Sequence, residues 1–211
     1  SGDEGMKAAF AEGRDIHSAT AAKVYGIPQE EVDREMRSKA KAVNFGLAYG
    51  QGVFGLSQNL DIPRAEAKEI IDNYFLQFPG IKTYMEKSVE EARENGYSIT
   101  LMGRKRYLRD INSSNHTVRS AAERLAVNSP IQGSAADMIK VAMTRVHDRF
   151  QKEGFKSRML LQVHDELVFD VHRDEVDTVT EVVTELMQNA MPMSVPILVE
   201  AGTGSNWLEA H

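Results

Sequence analysis

The chain has 211 residues, 42% hydrophobic and 27% charged, which is enough for a substantial core in one large domain or two small ones. With no cysteine it can form no disulfide, thiolate metal site or cysteine nucleophile, a composition that fits a reducing cytoplasm. A net charge of −6 and a pI near 5.6 argue mildly against a uniformly basic nucleic-acid binder, and no apolar run approaches the roughly 20 residues of a membrane helix.

In chain order, residues 8–11 read as the end of a helix and 16–24 as a short helix. His17 lies near the start of that helix, where a lone histidine reads as a capping or core residue. Pro28 opens another short helix. Asp33 is a good N-cap for the next one, Ala40, Ala42, Leu47 and Ala48 are strong helix formers, and Gly50 stands where the helix should stop. Along it, Arg37, Lys41, Phe45 and Tyr49 recur every fourth residue and share one slowly drifting stripe. Cations suit phosphate oxygens and flat rings suit a base or sugar, so the stripe matches a nucleoside triphosphate. The same period serves any amphipathic surface helix with a core-facing Phe and Tyr, and spacing alone leaves both readings open.

Helices are expected over 53–60, 64–78 and 81–95, with a break at Pro79-Gly80 and Gly96 as a terminator. Residues 97–108 read as a β-hairpin whose second strand opens a basic patch of Arg104, Lys105, Arg106 and Arg109. The other basic patch is Arg37, Lys39 and Lys41, while acidic residues crowd 30–35, 86–94 and 165–185. Such segregation fits one face for a polyanion, or simply solvated faces. The polar joint 110–115 is the best internal boundary. Beyond it come a helix over 116–128 and a new helix start at Ser129-Pro130-Ile131-Gln132, with Ser as N-cap and Pro at N1. The apolar face of that helix is Ala135, Met138, Ile139, Ala142, Val146 and Phe150. Strands over 159–163 and 167–171, a helix over 174–189 and a last strand over 197–201 complete an α+β pattern, an antiparallel sheet backed by helices.

His164-Asp165-Glu166 joins the two central strands. Short polar residues there serve a turn, but adjacent carboxylates also suit Mg²⁺, which takes one or two carboxylates plus substrate phosphates. A triphosphate-holding helix and a carboxylate hairpin together belong to phosphoryl or nucleotidyl transfer.

The series Arg37-x3-Lys41-x3-Phe45-x3-Tyr49-Gly50 resembles motif B, the fingers helix of family A DNA polymerases, and Val163-His164-Asp165-Glu166 resembles motif C, the palm hairpin. The likeness runs through 112–115, 121–124, Gln132-Gly133 and Asn206-Trp207. It implies a mainly helical fingers subdomain over 1–112 and the C-terminal part of a palm over 113–211. It implies template-directed DNA synthesis from dNTP on a primer 3′-hydroxyl, in replication and repair. Lys41 and Arg37 would contact the triphosphate, with Lys41 donating a proton to the departing pyrophosphate. Phe45 would pack on the sugar, Tyr49 near the template base, and His17 on a phosphate, which reverses the bland reading of that histidine. Asp165 would be the metal carboxylate and Glu166 its acidic neighbour. Arg124, Asn128, Gln132 and His164 would read the minor groove of primer–template DNA, where acceptors recur in every base pair. The family's two Mg²⁺ ions also need a motif A aspartate, expected outside these residues, so the piece alone is expected to be nearly inactive and its palm sheet to expose an edge. The implied parent is monomeric, cytoplasmic at the nucleoid, and not membrane-bound. Two alternatives stand beside this reading: a nucleotide- or DNA-binding module without chemistry, and a relative of the single-subunit RNA polymerases, against which Phe45 weighs.

Overall fold

The computed structural model describes every residue except Arg14 and His211, and the backbone alone of Ala48. Contacts divide the chain into two compact units, Ser1–Ser134 and Ala135–His211, so the division falls beyond the polar joint that sequence reading favours.

In the first unit, helix α1 (Glu4–Ala11) is capped by the buried carboxylate of Asp3, which accepts from the Met6 N–H at 3.0 Å. Its other oxygen accepts from the Gly80 N–H at 2.9 Å, which ties the start of the chain to helix α6 (Pro79–Asn95). The break expected at Pro79-Gly80 falls one residue earlier, at Phe78, between α6 and the helix before it. Pro79 is the first residue of α6, a position where its missing N–H costs nothing. Helix α2 (Ile16–Tyr25) ends at Gly26 in the left-handed region, and a 3-10 turn (Gln29–Glu31) leads on to α3 (Arg34–Ala48). Asp33 caps α3 through the Met36 N–H, as its sequence suggests.

Helices α4 (Val53–Leu60) and α5 (Arg64–Gln77) pack with α3 around one core. Val43 and Leu47 of α3 meet Leu56, Ala67, Ile70, Ile71, Tyr74 and Phe78 there. Each large side chain so buried contributes about 2 kcal/mol. Strands β1 (Tyr97–Ile99) and β2 (Lys105–Tyr107) form the expected hairpin, with Ser98 opposite Arg106. A second cluster of Ala92, Leu108, Ile111, Ala122 and Ala126 fixes the hairpin's neighbourhood to helix α7 (His116–Glu153).

Two helices were expected where α7 runs unbroken for 38 residues. Its N-cap is Asn115, whose side-chain oxygen accepts from Thr117 and Val118 N–H groups. Ser129 caps nothing: it is buried, and its hydroxyl has no partner among the described residues. Pro130 sits inside the helix, at an intrinsic cost of ~3 kcal/mol. Burial on both sides of it offsets that cost, through Ala122, Ala126 and Val127 before and Ala142 and Val146 after. Ser134 donates its hydroxyl proton to the Pro130 carbonyl at 2.6 Å.

The second unit is built on Val146 and Phe150 of α7 packed against Val179, Val182 and Val183 of α8 (Val176–Gln188). Ala135, expected on the apolar face of α7, is exposed. Strands β3 (Arg158–Val163) and β4 (Glu166–Asp170) pair antiparallel, and Phe169 joins the core. Leu160 and Leu161 of β3 are 58% and 44% exposed, in a sheet of two strands among the described residues. The Glu175 carboxylate accepts from the Lys156 and Ser157 N–H groups and the Ser157 hydroxyl, and so latches the start of β3 to a 3-10 turn (Arg173–Glu175). These bonds, the Ser157 hydroxyl first, hold Glu175 below the usual carboxylate range.

No strand forms over 197–201. Ile197 and Val199 alternate with exposed Leu198 and Glu200, as a strand's would, but the segment joins no ladder among the described residues. A four-residue helix, α9 (Trp207–Ala210), follows, which sequence reading missed. Two antiparallel pairs among helices make the fold α+β, as expected.

Replacing Pro130 with Ala should restore an N–H to the α7 ladder and raise stability by about 1–3 kcal/mol, read as a higher urea midpoint with unchanged slope. A lower midpoint would mean that the proline ring's packing outweighs the missing bond.

Candidate nucleotide and nucleic-acid interface

Helix α3 has two unlike faces. Ala40, Val43 and Leu47 point inward and are no more than 4% exposed. Arg37, Lys41, Phe45 and Tyr49 point outward, and the two rings are each 48% exposed. The core-facing reading of Phe45 and Tyr49 is therefore wrong. Two large aromatic rings stand in solvent on the same face as two cations.

Helix α2 brings His17 to this face. Its ring centroid lies 5.7 Å from that of Phe45, tilted by 43°. Asn44 places its amide nitrogen 3.2 Å from His17 Nδ1. Arg37 donates from Nε to Asp15 Oδ2 at 2.5 Å, while Asp15 Oδ1 accepts from the backbone N–H groups of His17 and Ser18 and so caps α2. Burial alone would raise the Asp15 carboxyl, but Arg37 and those two N–H groups outweigh it and bring the pKa down to about 2. Burial lowers the pKa of His17 below its ordinary value, Asp15 raises it, and Arg37 and Lys41 lower it further. On balance the ring gives up its second proton more readily than a free imidazole. Lys41 has no ion-pair partner among the described residues.

The ridge ends against α7. Gly50, with φ of 71°, packs so closely that a Cβ there would lie 3.1 Å from the Arg124 Cα. Gly50 therefore abuts the start of a second stripe, Arg124, Asn128 and Gln132, spaced every fourth residue on α7. Arg124 and Gln132 are exposed and Asn128 is half-buried. Gln132 also lines a cleft of about 290 Å³ with Ser98, Ser129, Gly133 and the basic residues Arg104, Lys105 and Arg106. The hairpin's basic residues thus border the Gln132 end of the α7 row.

In the second unit, β3 and β4 are joined by a two-residue turn of His164 and Asp165, and Glu166 is the first residue of β4, paired with Val163. His164 has φ of 55°, in the left-handed region that few non-glycine residues occupy. The turn leaves His164 and Asp165 exposed and Glu166 half-buried. Asp165 is an oxygen donor of the kind Mg²⁺ takes. Among the described residues no group of three His, Asp or Glu side chains could enclose an ion. The donor set fits Mg²⁺ as one side of a site only.

Asp15, Thr20 and Asn44 escaped the sequence reading. Asp15 carried a signal, since an aspartate directly before a helix is an N-cap candidate. Asn44 lies three residues beyond Lys41 and shares its side of the helix, which no periodic pattern of charge or hydropathy marks.

Residues 1–209 match the model of DNA polymerase family A. The chain belongs to that family. It is 48% identical over 209 residues to DNA polymerase I of Pseudomonas aeruginosa, covering 99% of this chain and 23% of that protein. It is 49% identical over 211 residues to DNA polymerase I of Lactococcus lactis, covering 100% of this chain and 24% of that one. A solved family structure, the POL domain of Pol1 from M. smegmatis in complex with DNA primer-template and dNTP, superposes with a TM-score of 0.94 at 47% identity, covering 99% of this chain and 37% of that one. The chain spans about a quarter of the length of the curated relatives it matches. Among the described residues no helix is long and apolar enough to cross a membrane.

The Asp15–Arg37 pair gives the first unit an acid-sensitive link. Asp15 titrates lower in the folded chain than its ordinary 3.8, so its contribution is present above that pH and lost as pH falls towards about 2. Acid unfolding of Asp15→Asn should show a shallower slope across this window than the parent. Identical slopes would mean that the pair adds no stability.

Proposed function

We propose that this chain supplies the nucleotide-binding ridge and one metal carboxylate of a template-directed DNA polymerase. The observation that carries the proposal is the outward ridge of α3, where Arg37, Lys41, Phe45 and Tyr49 share one exposed face with His17 beside it. The two rings stand half in solvent beside the cations, and stacking of a base on such a ring is worth about 1–3 kcal/mol per contact. Membership of the family and the DNA-and-dNTP complex of the M. smegmatis relative support the same reading.

In the reaction, the primer 3′-hydroxyl attacks the α-phosphorus of a dNTP and pyrophosphate leaves. Arg37 and Lys41 neutralise charge that builds on the departing pyrophosphate, and Lys41, free of carboxylate partners among the described residues, is the proton donor. His17 donates a hydrogen bond to a phosphate oxygen. Phe45 packs on the sugar and Tyr49 near the template base. Arg124, Asn128, Gln132 and His164 present donors to the primer–template minor groove, a contact that tests pair shape without reading sequence. Asp165 would hold Mg²⁺, with Glu166 as its acidic neighbour and an aspartate outside these residues completing the two-ion site. When bound, the ions acidify the attacking hydroxyl and steady the leaving oxygen.

A second reading applies to the 211 residues by themselves: nucleotide or DNA binding without chemistry. The single-sided carboxylate set favours it. Titrating dNTP into the chain, with Lys41→Ala as control, tests this, and equal binding by both would sink the ridge as a triphosphate site.

In a polymerase that includes these residues, Asp165→Ala should abolish primer extension and leave DNA binding intact. Near-normal extension would remove Asp165 from the metal site. Phe45→Tyr should raise dideoxynucleotide incorporation, and unchanged selectivity would argue against a sugar contact.

A further inference from the structure

Behind His17 lies a polar pair that the roles above do not use. Thr20, on α2, is fully buried (0% exposed), and its hydroxyl must find a partner or cost about 1–3 kcal/mol. It finds Asn44 of α3. The Thr20 hydroxyl donates to Asn44 Oδ1 at 3.3 Å and accepts from Asn44 Nδ2 at 3.1 Å. The same amide nitrogen lies 3.2 Å from His17 Nδ1. An amide NH₂ has two protons and no lone pair to offer, so one proton goes to Thr20 and the other to the imidazole. With the amide in this orientation His17 Nδ1 is the accepting nitrogen, and the ring proton sits on Nε2.

From this we infer that Asn44, anchored by Thr20, is a positioning residue that locks His17 as the Nε2–H tautomer and so aims a neutral hydrogen-bond donor at the triphosphate. The inference rests on the proposed phosphate contact of His17. It adds why that contact comes from a neutral ring. Among the described residues the charged groups that act on the imidazole are Asp15 at the cap of α2, and Arg37 and Lys41 on α3. A third full cation beside the two on α3 would be repelled by them, whereas an Nε2–H donor adds a phosphate bond without that repulsion. Free imidazole divides its proton between both nitrogens, so locking the tautomer removes a competing state before the nucleotide arrives.

The test is ring ¹⁵N NMR of His17 in the labelled chain, at a pH where the ring is neutral. The expected result is Nδ1 resonating as the unprotonated nitrogen and Nε2 as the protonated one. A tautomer mixture like that of free imidazole, or a proton on Nδ1, overturns the inference, and this measurement needs no variant to fold. Asn44→Asp replaces the donor with an acceptor and should move the proton to Nδ1 and raise the ring's pKa. An unmoved tautomer in a folded variant also overturns it. Thr20→Ser keeps the hydroxyl and should preserve the parent signature, while Thr20→Val should loosen it. In a polymerase carrying these residues, Asn44→Asp should raise the dNTP KM about tenfold, the loss of one charge-assisted hydrogen bond, with kcat changed less. The two ideas fail separately. His17→Ala with unchanged KM would remove the phosphate contact and leave the tautomer result standing. A wrong tautomer with a large His17→Ala effect would remove only the role of Asn44.

Discussion

The burial of one face of α3 is the constraint on which the first unit depends. Val43 and Leu47 enter the core that α4 and α5 build, and Ala40 is closed off on the same side. A helix turns about 100° per residue, so fixing those three positions leaves residues 37, 41, 45 and 49 facing out. The cations and rings reach solvent because the aliphatic residues between them cannot. The packing of the inner face and the exposure of the outer one are thus the same fact seen from two sides of one helix. Local changes on the inner face would rotate the outer one.

The outer face is organised by contacts from other elements. Helix α2 supplies Asp15 to Arg37 and sets His17 against Phe45 and Asn44. Helix α7 supplies the backbone at Arg124, against which Gly50 fits only because it has no side chain. The ridge is held at its start by an ion pair and at its end by steric contact, and Lys41 in between has no carboxylate partner among the described residues.

Much of this was legible in the chain itself. Asp33, the alanines and Gly50 marked the ends of α3 because caps and propensities are local properties. The stripe of four and the His164-Asp165 turn were visible as spacing and composition. What spacing could not decide was which face of α3 the core would take, since the same period serves either. Ser129-Pro130-Ile131-Gln132 misled because it has every local mark of a helix start. The burial of Ala126, Val127, Ala142 and Val146 carries α7 through it, and burial is set by residues distant in sequence. The last strand failed for a related reason: residues 197–201 alternate correctly, but a strand exists only with a neighbour to bond. The pairing of Asp15 with Arg37, 22 residues apart on different helices, and the Thr20–Asn44–His17 chain were out of reach of any local pattern.

The division of labour within the Asp15 carboxylate has one more consequence. Oδ1 holds the first turn of α2, and Oδ2 holds Arg37 together with the Ser18 hydroxyl. The cap and the ion pair thus draw on different oxygens, with Oδ2 shared between Arg37 and the Ser18 hydroxyl. Loss of the guanidinium would cost the tie between α2 and α3 but leave the first turn of α2 its acceptor. One carboxylate therefore does two separable jobs, starting a helix and joining it to its neighbour.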